Sequence, residues 1–221
     1  MTIVATRPKF AHDWCAHEGD LQFSRAAAVV ASGSGKVVTG TVMGRVAVGA
    51  ASSAAKTGGN TGNGTLTLDV TTPVLSTARS GVYTVRCIEA ASNGGIFRVE
   101  DPSGVVLGDV AVGATWSEQI KFAIADGASD FIVGDGFDIT VAVGSRKVKP
   151  LSLTAVDGTQ IADCILHVGV DATSADIETA VNVRDTKVID NQLTWPAGIT
   201  TDQKAAAMAQ LAAKGIVSHQ R

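Results

Sequence analysis

The sequence predicts a mainly β protein with minor α, and three observations carry that prediction. Apolar and polar residues alternate over several runs within residues 65–144, the period of a strand with one buried and one wet face. Turn dipeptides punctuate those runs: Asn93-Gly94, Ser103-Gly104, Asp126-Gly127 and Asp135-Gly136. Convincing helical spacing is confined to one segment near the C-terminus, after Thr200.

Residues 1–24 are mixed and non-periodic, and read as an arm rather than core. Residues 25–50 read as two short strands, Ala26–Ala31 and Val37–Val48, joined by the turn Ser32–Gly35 and interrupted at Gly40 and Gly44. Residues 51–64 are small, polar and glycine-rich, the composition of a flexible linker and a domain boundary. In residues 65–144, Leu66, Leu68 and Val70 share one face of a strand. Ile120, Phe122 and Ile124 share another, and Phe137, Ile139, Val141 and Val143 a third. About seven strands in this stretch predict an antiparallel β-sandwich. Residues 145–149, with Arg146, Lys147 and Lys149, read as a solvated return linker.

Strands are expected again over Leu151–Val156, Ile161–Val170, Ile177–Arg184 and Lys187–Ile189, with a turn at Asp157-Gly158. In the final helix Thr200 and Gln203 form a capping box, and Ala205, Met208 and Leu211 or Ala212 recur at helical spacing. Gly215 supplies the stop.

Composition narrows function. Of 221 residues 45% are apolar, enough for a core, and only 18% are charged. A net charge of −3 lacks the clustered cations that phosphate binding needs, which argues against a nucleic-acid partner. The sequence holds no continuous apolar run of membrane-spanning length, and its first ten residues lack the apolar core of a signal peptide. The three cysteines, Cys15, Cys87 and Cys164, are scattered and odd in number, which favours a reducing compartment over a disulfide framework.

Candidate chemistry is thin, and the chain is not expected to be an enzyme or to carry a cofactor. Ser32-Gly33-Ser34-Gly35-Lys36 fails the phosphate-loop pattern, with Val30 at the first glycine position and Val37 at the hydroxyl position. His12, Cys15 and His17 lack a fourth zinc ligand. Asp126, Asp130, Asp135 and Asp138 miss the calcium-loop spacing and read as turn caps. His167, in an apolar run, reads as a core or interface histidine. Trp195-Pro196 reads as a core aromatic fixing the turn into the helix, with a trimer contact as the functional alternative.

Two outer segments resemble the lambda-like phage head decoration family. One is Ala28-Val29-Val30-Ala31-Ser32-Gly33 followed by Thr39-Gly40-Thr41-Val42-Met43-Gly44-Arg45-Val46. The other runs through Val156-Asp157-Gly158-Thr159 and Ile165–Asp171 to Leu193-Thr194-Trp195-Pro196, the helix, and Gly215-Ile216-Val217. The resemblance covers residues 25–50 and 148–218. It implies an α+β decoration base made of 25–50 and 148–221, with residues 51–147 inserted as a β-sandwich with its linkers. Insertion at a surface loop is tolerated because closing a longer loop costs little.

The resemblance further implies a structural virion protein. It would bind the major capsid protein on the exterior of an expanded phage capsid, as a homotrimer, and stabilise the head against internal DNA pressure after assembly in the host cytoplasm. Residues 1–24 become a capsid-docking arm, with Ile3, Val4, Ala5 and Thr6 as a β-prone segment and Trp14 and Phe23 as apolar contacts. Removal of residues 1–20 is expected to leave a folded protein that no longer binds shells. The alternative is a binding module in which the sandwich contacts a glycan or host surface, which would need exposed aromatics at one loop end.

Overall fold

Strands dominate the computed structural model, which describes residues 9–219, and helices are a minor part of it. The chain divides into two units, one formed by residues up to Val46 together with Arg146 onward, the other by Ala47–Ser145.

The first unit opens with a helical turn α1 (Ala11–Trp14), strand β1 (Cys15–Glu18) and a second turn α2 (Leu21–Ser24). Strands β2 (Arg25–Val30), β3 (Gly35–Val37) and β4 (Val42–Arg45) follow. Asp20 starts α2 because its carboxylate accepts from the free amides of Gln22 and Phe23, at 2.8 and 3.2 Å. The arm expected over 1–24 is therefore corrected from Lys9 onward: these residues belong to the folded unit, and Trp14 is fully buried in its core. A lone tryptophan among polar neighbours has no periodicity to betray its burial. Ile3, Val4, Ala5 and Thr6 lie outside the described residues.

The second unit holds β5 (Val48–Ala55), β6 (Thr65–Leu68), β7 (Gly81–Ala91), β8 (Gly94–Glu100), β9 (Val106–Ala111), β10 (Thr115–Ser117), β11 (Lys121–Ala125) and β12 (Gly136–Val143). They form a five-stranded sheet, β5-β12-β7-β8-β9, and a three-stranded sheet, β10-β11-β6, all antiparallel. Tyr83, Val85, Phe97, Val99 and Ile139 from the first sheet share one core with Leu66, Trp116, Phe122 and Ile124 from the second. Phe97, Phe131 and Phe137 meet edge-on or tilted, with centroids 5.0–6.2 Å apart.

Two details differ from the alternation read in the sequence. Val70 is 96% exposed because the strand stops at Leu68, where Asp69 accepts from the amides of Thr71 and Thr72 and turns the chain. Val143 is exposed because a bulge after Val141 shifts the register. The glycine-rich stretch is not a flexible linker either. Ala51–Ala55 lie on β5, and a Cβ on Gly62 or Gly64 would come within 2.8 or 2.4 Å of the Phe131 ring. These glycines admit a ring, and composition alone cannot separate that role from flexibility.

The chain returns to the first unit through β13 (Val148–Pro150), β14 (Ala162–Leu166), β15 (Val170–Ala172), β16 (Ile177–Asn182) and β17 (Thr186–Val188). A short 3-10 turn (Asp190–Gln192), helix α3 (Thr201–Ala212) and β18 (Ile216–Ser218) complete it. The expected return linker is thus partly a strand, and Lys147 and Lys149 pair with Asp176 and Asp157. Leu151–Val156, expected as a strand, is a turn. Amides at the junction bond across it: Val46 N to Lys147 O at 2.9 Å and Arg146 N to Val46 O at 3.0 Å.

Strands β13-β2-β16-β14-β4 close a barrel, flanked by the sheets β1-β17-β18 and β15-β3. Its wall separates two cores. Val30, Met43, Cys164, Leu166 and Val181 fill one, and Trp14, Val42, Ile165, Val188, Leu193 and Leu211 fill the other. Met43 and Val42 go to different cores, as do Leu166 and Ile165, because successive side chains of a strand point to opposite faces. The capping box of α3 forms as read, with Thr200 Oγ1 accepting from Gln203 N and Gln203 Oε1 from Thr200 N. The buried face is Ala207 and Leu211 with Met208 beside them, while Ala205 is exposed.

Candidate functional site

Two of the residues singled out in the sequence, Trp14 and His167, meet in the barrel unit. Trp14 is held there by its Nε1, which donates to Thr39 Oγ1 at 2.9 Å, and Thr39 Oγ1 donates to His167 O at 2.7 Å. The His167 ring meets the indole edge-on at 6.1 Å. Gly40, at φ +76°, runs beneath the indole, where a Cβ would lie 2.7 Å from Cδ1. Gly44 likewise admits the backbone of Thr159, 2.4 Å from a Cβ placed there. The two glycines of the Thr39–Val46 motif are therefore close-approach positions.

A polar chain ties the N-terminal segment down. Arg25 donates twice to Glu18, at 2.8 and 2.6 Å, and the buried Asn182 donates to Glu18 at 2.7 Å while its own oxygen faces His167 Nδ1 at 2.8 Å. The Arg25 hydrogen bonds hold the Glu18 carboxyl below its ordinary range against the opposing effect of burial, with help from Asn182. Beyond Arg25, Phe23 is 55% exposed and carries the Arg184 guanidinium 4.9 Å above its ring, with Leu21 also exposed nearby in sequence.

The described chain begins at Lys9, whose ammonium contacts Gln192 O and, at 3.2 Å, Thr194 Oγ1. The Trp195 and Pro196 side chains follow at once. Trp195 is part-buried on the core that holds Trp14, its Nε1 donating to Asp190 O at 3.2 Å and its ring lying 5.5 Å from Lys204 Nζ. Both residues line a groove of about 200 Å³ together with the buried Val37, Val42 and Leu151 and with Ser34, Lys36 and Val38. The sequence reading weighed Lys36 only as part of a phosphate loop and did not single out Lys9 or Val38 as contact residues. The groove joins three distant segments, 34–42, 150–151 and 194–196, and no local signal marks it.

Burial pushes the Cys164 thiol up to about 12 and raises those of Cys87 and Cys15, the reverse of an activated nucleophile. Among the described residues, no three His, Cys, Asp or Glu gather as a metal site. The four sandwich aspartates do not converge. Asp135 accepts from Thr61, Gly62 and Ile132 amides, Asp130 from the Asn93 amide, and Asp138 pairs with Arg86. Tyr83, Phe97, Trp116, Phe122, Phe131 and Phe137 are all buried, so none of the sandwich aromatics forms an exposed platform.

A family model described as bacteriophage lambda head decoration protein D matches residues 4–216, a range that runs through the inserted unit as well as the two outer segments. Among curated proteins, none matches the sequence significantly. Two crystal structures of Xanthomonas campestris FlgL, in space groups H3 and C2, align with 51% of this chain at 19% identity and a TM-score of 0.31. The chain spans about a third of their length, 34% and 33%, and this likeness carries no argument.

Proposed function

The chain belongs to the family of the bacteriophage lambda head decoration protein D, and from that membership we propose that it cements the outside of an expanded phage capsid. Its role is that of a structural protein decorating the capsid, bound to the phage head. The observation that carries the reading is the length of the match, 4–216, which takes in nearly the whole chain. In the proposed mechanism the protein acts without chemistry. Residues 1–8, with Ile3, Val4, Ala5 and Thr6, pair with a strand edge of the major capsid protein, and three copies clamp neighbouring capsid subunits. A trimer turns three weak arm contacts into one strong one, and the clamped shell resists outward pressure from packaged DNA.

Supporting this division of labour, the described residues begin at Lys9 and are anchored through Trp14, so removal of residues 1–8 leaves that anchor in place. The test follows from the same boundary. Removing 1–20 would strip Trp14 from its core, so the informative truncation removes 1–8 alone. Co-sedimentation with expanded shells lacking the protein, and with unexpanded precursor shells, is expected to give saturable binding of the full chain to expanded shells only. The truncated chain should lose that binding. Equal binding by both chains would overturn the arm assignment, and binding of neither chain to any shell would overturn the cementing role.

A further inference from the structure

We propose that the groove between Val38 and Trp195 is a second shell contact, taking an extended aliphatic segment of the major capsid protein that carries an acidic residue. The proposal rests on the cementing reading above and names the chemistry of a contact that the arm does not supply. Four observations point to it.

The groove has apolar walls, with Val38 49% exposed at its mouth. Single exposed valines are ordinary. Here the valine borders a concavity lined by the buried Val37, Val42 and Leu151, the form of site that captures an aliphatic side chain. Next, β3 has one strand partner, β15, among the described residues, and its residues Lys36 and Val37 line the groove, where an extended peptide could pair beside them. Then, the Ser34 hydroxyl oxygen is buried in the groove lining with no hydrogen-bond partner among the described residues, and rotation about its Cα–Cβ bond would offer this unmet polar group to an incoming peptide.

Last, position and charge select the occupant. Lys9, at the root of the proposed arm, touches Thr194 of the groove wall. Whatever surface the arm docks on is therefore carried next to the groove. Lys36 in the groove lining is largely exposed, its nearest carboxylate, Asp171, only at 3.9 Å. The Lys36 ammonium on the lining of an apolar slot, with Lys9 beside Thr194 though partly offset by Asp13, favours an acidic residue on the guest segment and would repel a basic one.

The test uses full-length protein and expanded shells lacking it. Val38 is exposed, so Val38→Glu leaves the core intact, and it places a carboxylate where an acidic guest must pass. Its shell affinity is expected to fall at least tenfold, and Lys36→Glu to fall similarly, while Val133→Glu, an exposed valine of the other unit, binds as wild type. A photo-crosslinking residue at position 38 should give an adduct with the major capsid protein, mapped by mass spectrometry to a segment containing Asp or Glu. Unchanged affinity of Val38→Glu overturns the proposal, as does an adduct only with a second copy of this chain. The two readings fail separately. If truncation of 1–8 abolishes binding and Val38→Glu does not, the arm stands and the groove falls. The opposite pattern removes the arm and keeps the groove.

Discussion

Gly40 lies directly against the Trp14 indole: a Cβ on Gly40 would sit 2.7 Å from Trp14 Cδ1, and the backbone there has φ +76°. Alanine at position 40 must therefore displace a fully buried ring and adopt a left-handed conformation. Gly40→Ala is expected to destabilise the first unit by about 2–4 kcal/mol, the sum of overpacking and backbone strain. Urea unfolding followed by hydrogen exchange at Val42 and Ile165 would show it. A midpoint equal to wild type would mean that the segment carrying Trp14 is free to shift.

Acid should loosen the same region. Glu18 is held below its ordinary pKa chiefly by the Arg25 hydrogen bonds. A carboxylate whose folded pKa is depressed contributes its full stability above the unfolded value, about 4.3, and loses it as pH falls through the lower folded value. Glu18→Gln should cost about 1–3 kcal/mol at pH 7 through the lost charged hydrogen bonds, and less at pH 3. Parallel acid limbs for the wild type and the variant, in urea midpoints measured from pH 7 to pH 3, would contradict that role.

Phe131 plugs one end of the sandwich, against Phe97 at 5.0 Å and Phe137 at 5.9 Å. Phe131→Ala is expected to cost about 3–5 kcal/mol, as large aromatic truncations in cores do. The loss should register as faster amide exchange in residues 65–143, with shell affinity unchanged. Weakened shell binding would mean that the inserted unit takes part in docking.

The thiols offer a check on packing. Cys164 and Cys87 are buried with raised pKa, and Cys15 is half-buried. A thiol reagent at pH 8 should label at most Cys15 quickly in the native protein, and all three cysteines in denaturant. Fast labelling of a second thiol would contradict the closed barrel or the sandwich core.

What could be read from the sequence follows from how each element is buried. The sandwich strands around Phe122 and Ile139 have one wet face, so alternation exposes them. In β14, Ile165 and Leu166 are both buried, in different cores, and the sequence shows only an apolar run with no direction in it. The cap of α3 was legible because Thr200 and Gln203 are three residues apart. Its face was only half legible, since Ala205 and Ala207 look alike while just one is buried. Trp195 was legible as a packed aromatic beside the helix. The groove it borders was not, because Val38 and Lys36 reach it from a segment about 160 positions away, brought there by the backbone pairing of Gly40–Val42 with Thr194.

The junction of the two units has a further consequence. Val46 and Arg146 are hydrogen-bonded neighbours across it, although the chain between them runs from Ala47 to Ser145. To the barrel, that whole stretch is equivalent to a hairpin turn, because both ends arrive at one point in one register. A polypeptide with adjacent termini put in place of 47–145 is therefore expected to leave β4 and β13 paired, so the barrel tolerates a change of length there that it would not tolerate inside a strand.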